Sequence, residues 1–415
     1  MPGIGEWFPS HLARAGIVGL DVPVTEQGIG DRDVASIMAG PEVFAHRRER
    51  LRAVLGDEGI DAILVTNLVN VRYLTGFTGS HAALLVASDE QGGDDAAVIA
   101  TDGRYTTQVA QQAPGLAVEM ARSGALRLVA LAAERPVGRL GFESSTVTVA
   151  QHEQLAGEAT GIELVGTRGL VEGLRIVKDA TELAALEAAC GAADRALSRL
   201  IDSGALRPGE SERLVARKLE WLMHEEGAEG IAFETIIAAG AHSAVPHHRP
   251  TDSLIERGDL VKMDFGAVVG GYHSDMTRTV VVGAQPEPWQ QRIHDIVREA
   301  QAAGRAAAVE GGLAGEVDGA ARAVITAAGH GDHFVHSTGH GVGLEIHEAP
   351  SVARNADSRL LCNTAITVEP GIYLPGRGGV RIEDTVIITP AVAEGVTGGG
   401  GPAVLTTTTR ELLVV

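Results

Sequence analysis

The sequence predicts an α/β domain followed by an α+β domain, and three observations carry that expectation. Up to about residue 174, short apolar strands alternate with helical stretches. Beyond it, long helices alternate with pairs of Val-, Ile- and Thr-rich strands joined by glycine turns. A helix-start signal, Lys178-Asp-Ala-Thr-Glu182, marks the change. With 415 residues, 45% of them hydrophobic and 21% charged, the chain suits two or three domains with sizeable cores. The expected boundaries are 1–40 for a Gly- and Pro-spotted extension, 41–174 for the first domain and 175–415 for the second.

Residues 44–55 read as a helix, with Arg47, Arg48, Arg50 and Arg52 around a thin apolar stripe. Residues 61–66, 83–88 and 96–101 read as buried strands, 91–95 as a turn and 106–112 as a helix. In the second domain Asp179 is placed to cap a helix, with Glu182 three residues on completing a capping box. Leu183, Leu186, Cys190, Ala193, Leu197 and Leu200 form its stripe. Further helices are expected over 211–225, from Pro288, and around 317–328. Two hairpins are expected, 260–269 with 272–282 turning at Gly270-Gly271, and 365–374 with 380–389 turning through 375–379. A glycine loop over 398–401 precedes a last short strand at 411–415.

Composition removes several functions. A formal net charge of -20, with no run of five Lys or Arg, argues against a nucleic-acid partner. Cys190 and Cys362 are far apart without metal-type spacing, so no disulfide framework is encoded, which points to the cytoplasm. The first twenty residues do not read as a secretory signal, and no apolar run approaches the roughly 18 residues of a membrane span.

The chemistry lies in the hairpins. Asp264 and Asp275 occupy the two strands of the first, and a tight turn sets them opposite each other or two residues apart on one face. Glu369 and Glu383 flank the second turn in the same way. Singly, an Asp on a strand is most often an edge or turn residue. Four carboxylates among Val261, Met263, Phe265, Val368 and Ile382 would repel one another unless something positive sits between them. With His340, in Thr338-Gly-His-Gly-Val-Gly343, the set exceeds one structural zinc and suits two divalent metals, Mn or Co before Zn. Such a pair holds a bridging hydroxide as nucleophile and polarises a carbonyl.

These residues carry a resemblance. Met263-Asp-Phe-Gly266, Ser274-Asp-Met-Thr-Arg-Thr279, Gly339-His-Gly-Val-Gly-Leu-Glu-Ile-His347, Val368-Glu-Pro-Gly-Ile-Tyr373 and Gly379-Val-Arg-Ile-Glu-Asp384 resemble the pita-bread (M24) metallopeptidase family. More narrowly they resemble its Xaa-Pro branch, aminopeptidase P and prolidase, and Asn70 to Gly79 is similar to that branch's creatinase-like N-terminal domain. The resemblance implies Asp264 on one metal, His340 and Glu369 on the other, and Asp275 and Glu383 bridging both. It makes Glu369 the general base, which fits a carboxylate beside a metal-bound water. It places His247, His336 and His347 around the scissile carbonyl, where an N–H donor stabilises the developing oxyanion. Arg381, on the strand face of Glu383, is left between charge balance and a substrate role. Thr277 is a candidate hydrogen-bonder to the ligands. His242, His248, His273, His330 and His333 are read as surface or core residues, and Glu345, Glu348 and Asp384 as solvated or structural.

The implied activity is metal-dependent hydrolysis of the bond between an N-terminal residue and proline, in a homodimer. Aminopeptidase P is placed first and prolidase second. Methionine aminopeptidase shares the five ligands but lacks the N-terminal domain; creatinase lacks the full ligand set; a non-catalytic binding protein of this fold usually loses ligands.

Overall fold

The computed structural model describes residues 39–390 and 401–415, so all but the last two residues of the expected 1–40 extension, and residues 398–400 of the expected 398–401 glycine loop, lie outside the described residues. Among the described residues, one compact unit runs to Arg175 and a second begins at Ile176.

The first unit is a six-stranded mixed sheet of β1 (Ala62–Val65), β2 (Ala83–Ala87), β3 (Val98–Thr101), β4 (Ala117–Met120), β5 (Arg139–Glu143) and β6 (Glu163–Thr167). Its order is β4-β3-β2-β1-β5-β6, with β1 parallel to β5 and antiparallel to β2. Helices α1 (Pro41–Asp57), α2 (Leu68–Thr75), α3 (Thr106–Gln112), α4 (Gly124–Ala133), α5 (Val149–Glu158) and α6 (Leu170–Arg175) complete it. Leu64, Leu85, Ala100, Leu128 and Leu140 form the core under α4. The sequence pattern exposes β1 to β3 because they are buried on both faces. It misses β4, β5 and β6: the edge strands β4 and β6 show no buried apolar run, and in the interior strand β5 the glycine and the charged Arg139 and Glu143 break the apolar pattern.

The second unit sets helices outside antiparallel strands. Its helices are α7 (Ala180–Asp202), α8 (Glu212–Glu225), α9 (Pro288–Ala307) and α10 (Ala314–Ala327). Asp179 accepts hydrogen bonds from the backbone of Thr181 and Glu182, and Glu182 bonds back, so the expected capping box starts α7. Leu186, Cys190, Ala193, Leu197 and Leu200 are fully buried, each leucine contributing about 2 kcal/mol of apolar burial.

The strands are β7 (Gly230–Ile231), β8 (Ile236–Ala239), β9 (Leu260–Phe265), β10 (Ala267–Val269), β11 (Tyr272–His273), β12 (Met276–Val281), β13 (Gly339–Gly341), β14 (Glu348–Val352), β15 (Ala365–Val368), β16 (Gly371–Leu374), β17 (Gly378–Arg381), β18 (Asp384–Ile387) and β19 (Ala403–Val404). Helices α7 and α8 pack on β8, β9 and β12 through Leu197, Leu219, Ile237, Met263 and Val280. Helices α9 and α10 pack over the second hairpin through Ile293, Val297, Ile325, Ile372 and Val380.

Both hairpins form in the expected register, but their strands are shorter than expected. The first turns at Gly270-Gly271, whose φ values of 59° and 81° are those a two-residue hairpin turn demands. Asp264 pairs with Thr277 rather than with Asp275, a two-residue offset that keeps both acids on one face. In the second hairpin Val368 pairs with Asp384 and Gly371 with Arg381, so the register carries Glu369 opposite Glu383. Each expected long strand is interrupted: β9 from β10 at Gly266, β11 from β12 at Ser274-Asp275, β15 from β16 at Glu369-Pro370, and β17 from β18 at Ile382-Glu383. Three of the four acids therefore sit where a strand passes from one sheet to another. The chain end at 411–415 makes backbone bonds to Val281 and Gly283 through a single bridge rather than forming the expected strand.

Candidate metal centre

Period-2 alternation aims the acids. On β9, Val261, Met263 and Phe265 enter the helix-facing core, which leaves Lys262 and Asp264 on the opposite face. On β15, Ile366 and Val368 enter the core, which leaves Thr367 and, past the strand end, Glu369. Hydrogen bonds then join the two hairpins across this face. Thr277 Oγ1 donates to Glu383 Oε2 at 2.7 Å, Glu383 N to the Thr277 carbonyl at 3.1 Å, and Thr385 Oγ1 to the Asp275 carbonyl at 2.9 Å. Thr277 thus touches Glu383 rather than its strand neighbour Asp275.

His340 enters from β13, at a shift in the pairing with β14. Its flanking glycines are required by close approach: a Cβ on Gly339 would collide with the Thr367 carbonyl, and one on Gly341 with the Ala349 carbonyl. The imidazole Nδ1 donates to the Gly341 carbonyl at 3.0 Å, which leaves the Nε2 lone pair free. That lone pair faces Asp275 Oδ2 at 3.5 Å and Glu369 Oε1 at 3.6 Å. Ligand atoms of Asp275, His340 and Glu383 lie within 4.8 Å of one another.

These are acceptors facing acceptors. Burial, with Glu383, Asp264 and Glu369 nearby, pushes the Asp275 carboxyl well up, and burial with Glu369 and Asp264 does the same to Glu383. Burial raises Glu369 to about 7 despite the opposing charge of Arg381. Burial, helped by His347, lowers His340 to about 4, so its ring is neutral at pH 7. Asp264 Oδ2 accepts from Arg381 Nη2, while its Oδ1 is buried without a hydrogen-bond partner among the described residues. Four carboxylates, one neutral imidazole with its lone pair inward and one orphaned carboxylate oxygen are the donor set that divalent cations take. The residues present fit divalent metal ions.

The other expected residues line the same cavity of about 630 Å³, with Phe233, Ile236 and Ile346 as its apolar wall. His247 and His347 are exposed to it, and His347 stands edge-on to His340 with ring centroids 4.3 Å apart. His336 is differently placed. Its Nδ1 donates to the Ser337 carbonyl at 2.7 Å and its Nε2 accepts from Tyr373 Oη at 2.8 Å, so both nitrogens are used within the protein. Arg381 is built into the wall, donating from Nε to Thr277 Oγ1 at 3.0 Å and from Nη1 to Tyr373 Oη at 2.9 Å and the Pro246 carbonyl at 3.2 Å. Its four partners, with Asp264 among them, favour charge balance over substrate contact.

Of the residues set aside as surface or structural, Glu348 is paired with Lys178 at 2.6 Å. His273 donates to the Gly343 carbonyl, and His330 and His333 pair with each other. Asp384 is fully buried rather than solvated. Two contributors were missed. Tyr373, which links His336 to Arg381, stood inside a quoted motif, and Lys262 shares the strand face of Asp264. A lysine in the apolar run 260–265, one of three in the chain, was a readable signal.

Comparison with known proteins supports a metal-dependent peptidase. Residues 184–390 match the model of metallopeptidase family M24, and residues 47–177 match the creatinase/prolidase N-terminal domain. The chain is 38% identical to an Xaa-Pro dipeptidase of Pyrococcus furiosus, over 88% of this chain and 99% of that one. Among solved structures, an Xaa-Pro dipeptidase from Bacillus anthracis superposes with a TM-score of 0.82 at 39% identity, covering 90% of this chain and 100% of the other. An X-Pro aminopeptidase from Thermotoga maritima does so at 0.78 and 34% identity, covering 89% and 99%. The chain belongs to metallopeptidase family M24, with the creatinase/prolidase N-terminal domain ahead of a pita-bread domain.

Proposed function

We propose that this M24 metallopeptidase is an Xaa-Pro dipeptidase, which reverses the order in which the sequence alone ranks it against aminopeptidase P. The observation that carries the peptidase reading is the convergence of Asp264, Asp275, His340, Glu369 and Glu383 on one buried face, with acceptors turned inward. The similarity to Xaa-Pro dipeptidases supports the dipeptide as substrate. The Thermotoga structure favours the second reading, aminopeptidase P.

Asp264 would hold one metal, His340 and Glu369 the other, and Asp275 and Glu383 both. When bound, the two ions, Mn or Co in preference to Zn, supply Lewis acidity and an activated water. The chain's own residues do the rest. Glu369 takes the proton of the attacking water and returns it to the proline nitrogen, which carries no hydrogen in the peptide and must gain one to leave. His247 and His347 face the cavity and supply N–H donors where the carbonyl oxygen gathers charge. His336, with both nitrogens engaged, acts by holding Tyr373 and through it Arg381.

The test is a side-by-side assay of metal-stripped protein with Mn or Co restored, on an Xaa-Pro dipeptide and an Xaa-Pro-Xaa tripeptide. Cleavage of the dipeptide alone is expected. Release of the N-terminal residue from the tripeptide would make the enzyme an aminopeptidase P, and no cleavage with either metal would return it to a binding protein. His247→Ala should lower kcat by about a hundredfold with metal content unchanged; loss of metal would make His247 a ligand.

A further inference from the structure

His247 is exposed to the cavity and hydrogen-bonds to no other described residue, yet the residues on both sides of it are tightly held. Before it, Lys262 Nζ donates to the carbonyls of Val245 at 2.6 Å and Pro246 at 3.1 Å, and Arg381 adds a bond to the second of these at 3.2 Å. After it, His248 Nε2 donates to Glu212 Oε2 at 2.9 Å, joined there by the backbone N–H of Thr251 at 3.0 Å and its hydroxyl at 2.7 Å. The other oxygen of Glu212 accepts from Ala239 N and His242 Nδ1, both at 2.9 Å.

Glu212 is fully buried at the first turn of α8, where a negative charge is favoured, and it accepts five hydrogen bonds. Its carboxyl lies down at about 2: burial opposes ionisation, but bonds from Ala239, His248 and Thr251 outweigh it. The cluster of Glu212, His242 and His248 has the residue types of a metal site. Its rings are nevertheless stacked at 4.4 Å and 28°, each addressing a different carboxylate oxygen, so their lone pairs do not converge on one point.

We infer that Glu212 and Lys262 are positioning residues for His247: they fix the 245–251 segment from its two ends, so that an imidazole with no bond of its own is presented to the scissile carbonyl. A freely hinged segment would let that ring sample many poses, and an error of about 1 Å at a group in the reaction can cost about a hundredfold in rate. The inference rests on the Xaa-Pro peptidase reading.

Its test is a double-mutant cycle on the metal-loaded enzyme, with Xaa-Pro dipeptide as substrate. Glu212→Gln should lower kcat by about 10- to 100-fold, leave KM within about twofold and leave metal stoichiometry unchanged. In a His247→Ala background the same substitution should change kcat by less than about twofold, because there is no ring left to position. An equal loss in both backgrounds, or no loss in either, overturns the inference. Should Glu212→Gln fold poorly, Thr251→Val removes one bond of the same clamp and is read in the same cycle, with a smaller loss expected. A crystal structure of the Glu212 or Thr251 variant separates this inference from the functional reading. Displacement of residues 245–251 around an intact centre is expected, and an unmoved His247 overturns the inference whatever the enzyme cleaves. Failure of the wild-type enzyme to cut any Xaa-Pro peptide would overturn the peptidase reading instead.

Discussion

Glu383 and Asp384 are neighbours in sequence, both buried, and opposite in character. Glu383 faces Asp275 and Glu369 and receives one hydrogen bond, from Thr277, so burial and like charges push its carboxyl well up. Asp384 points to the other face and meets donors: Arg278 at 2.8 Å, Gln301 at 2.6 Å, Thr406 at 2.8 Å and Arg410 at 2.5 Å. Burial opposes its ionisation too, but Arg278 and Arg410 overcome that and hold its carboxyl down. Depth alone therefore does not mark a functional acid. A buried carboxylate surrounded by donors is a structural joint, whereas one surrounded by acceptors awaits a cation.

The sharpest way to break this contrast is Glu383→Ala. Activity should fall by about a thousandfold or more and metal content below two per chain, read by turnover and elemental analysis. Full activity with an empty second position would sink the dinuclear arrangement. Asp384→Asn should act on stability, costing about 3–5 kcal/mol in denaturant unfolding by stranding buried Arg278, with metal stoichiometry unchanged. If metal is lost first, the two faces are not independent.

The pH dependence should separate the same two regions. Glu369 is raised, so in the metal-free chain its contribution to stability is full below its ordinary pKa near 4.5 and is lost as pH rises to about 7. Asp384 is lowered, so its contribution is present above about 3.8 and lost as pH falls below that value. Metal-free protein should therefore lose on the order of 2 kcal/mol between pH 4.5 and 7, and saturating Mn should remove that slope by holding the carboxylates ionised. A slope unchanged by metal would remove Glu369 from the ligand set. The smallest effect belongs to Thr277→Val, which deletes the bonds to Glu383 and Arg381. It should weaken metal affinity about tenfold in a competition titration, and unaltered affinity would make Thr277 a spacer.

Much of this site is legible in the sequence. The alternation of Val261, Met263 and Phe265 with Lys262 and Asp264 is a two-residue period, and a glycine pair sets the register opposite it. The capping box at Asp179 and the glycines around His340 are equally local signals. Arg381 and His336 were harder, because what an arginine or histidine does depends on what its nitrogens meet. Thr277, Tyr373 and the Pro246 carbonyl come from three separate stretches of chain. Glu212 carried no signal of its own: in sequence it is one more acid in the first turn of a helix.

By itself the sequence determined the two-domain division of pattern, the hairpins and their faces, and the residue types able to hold metal. Those features follow from periods of two and 3.6 residues and from turn chemistry, which act between near neighbours. Tertiary structure decided where strands break at the acids, which buried carboxylates meet donors and which meet one another, and which segments Glu212 and Lys262 hold. Each of these depends on hydrogen bonds between groups distant in sequence, such as Thr277 with Glu383 or His248 with Glu212, and no local period encodes such a pairing.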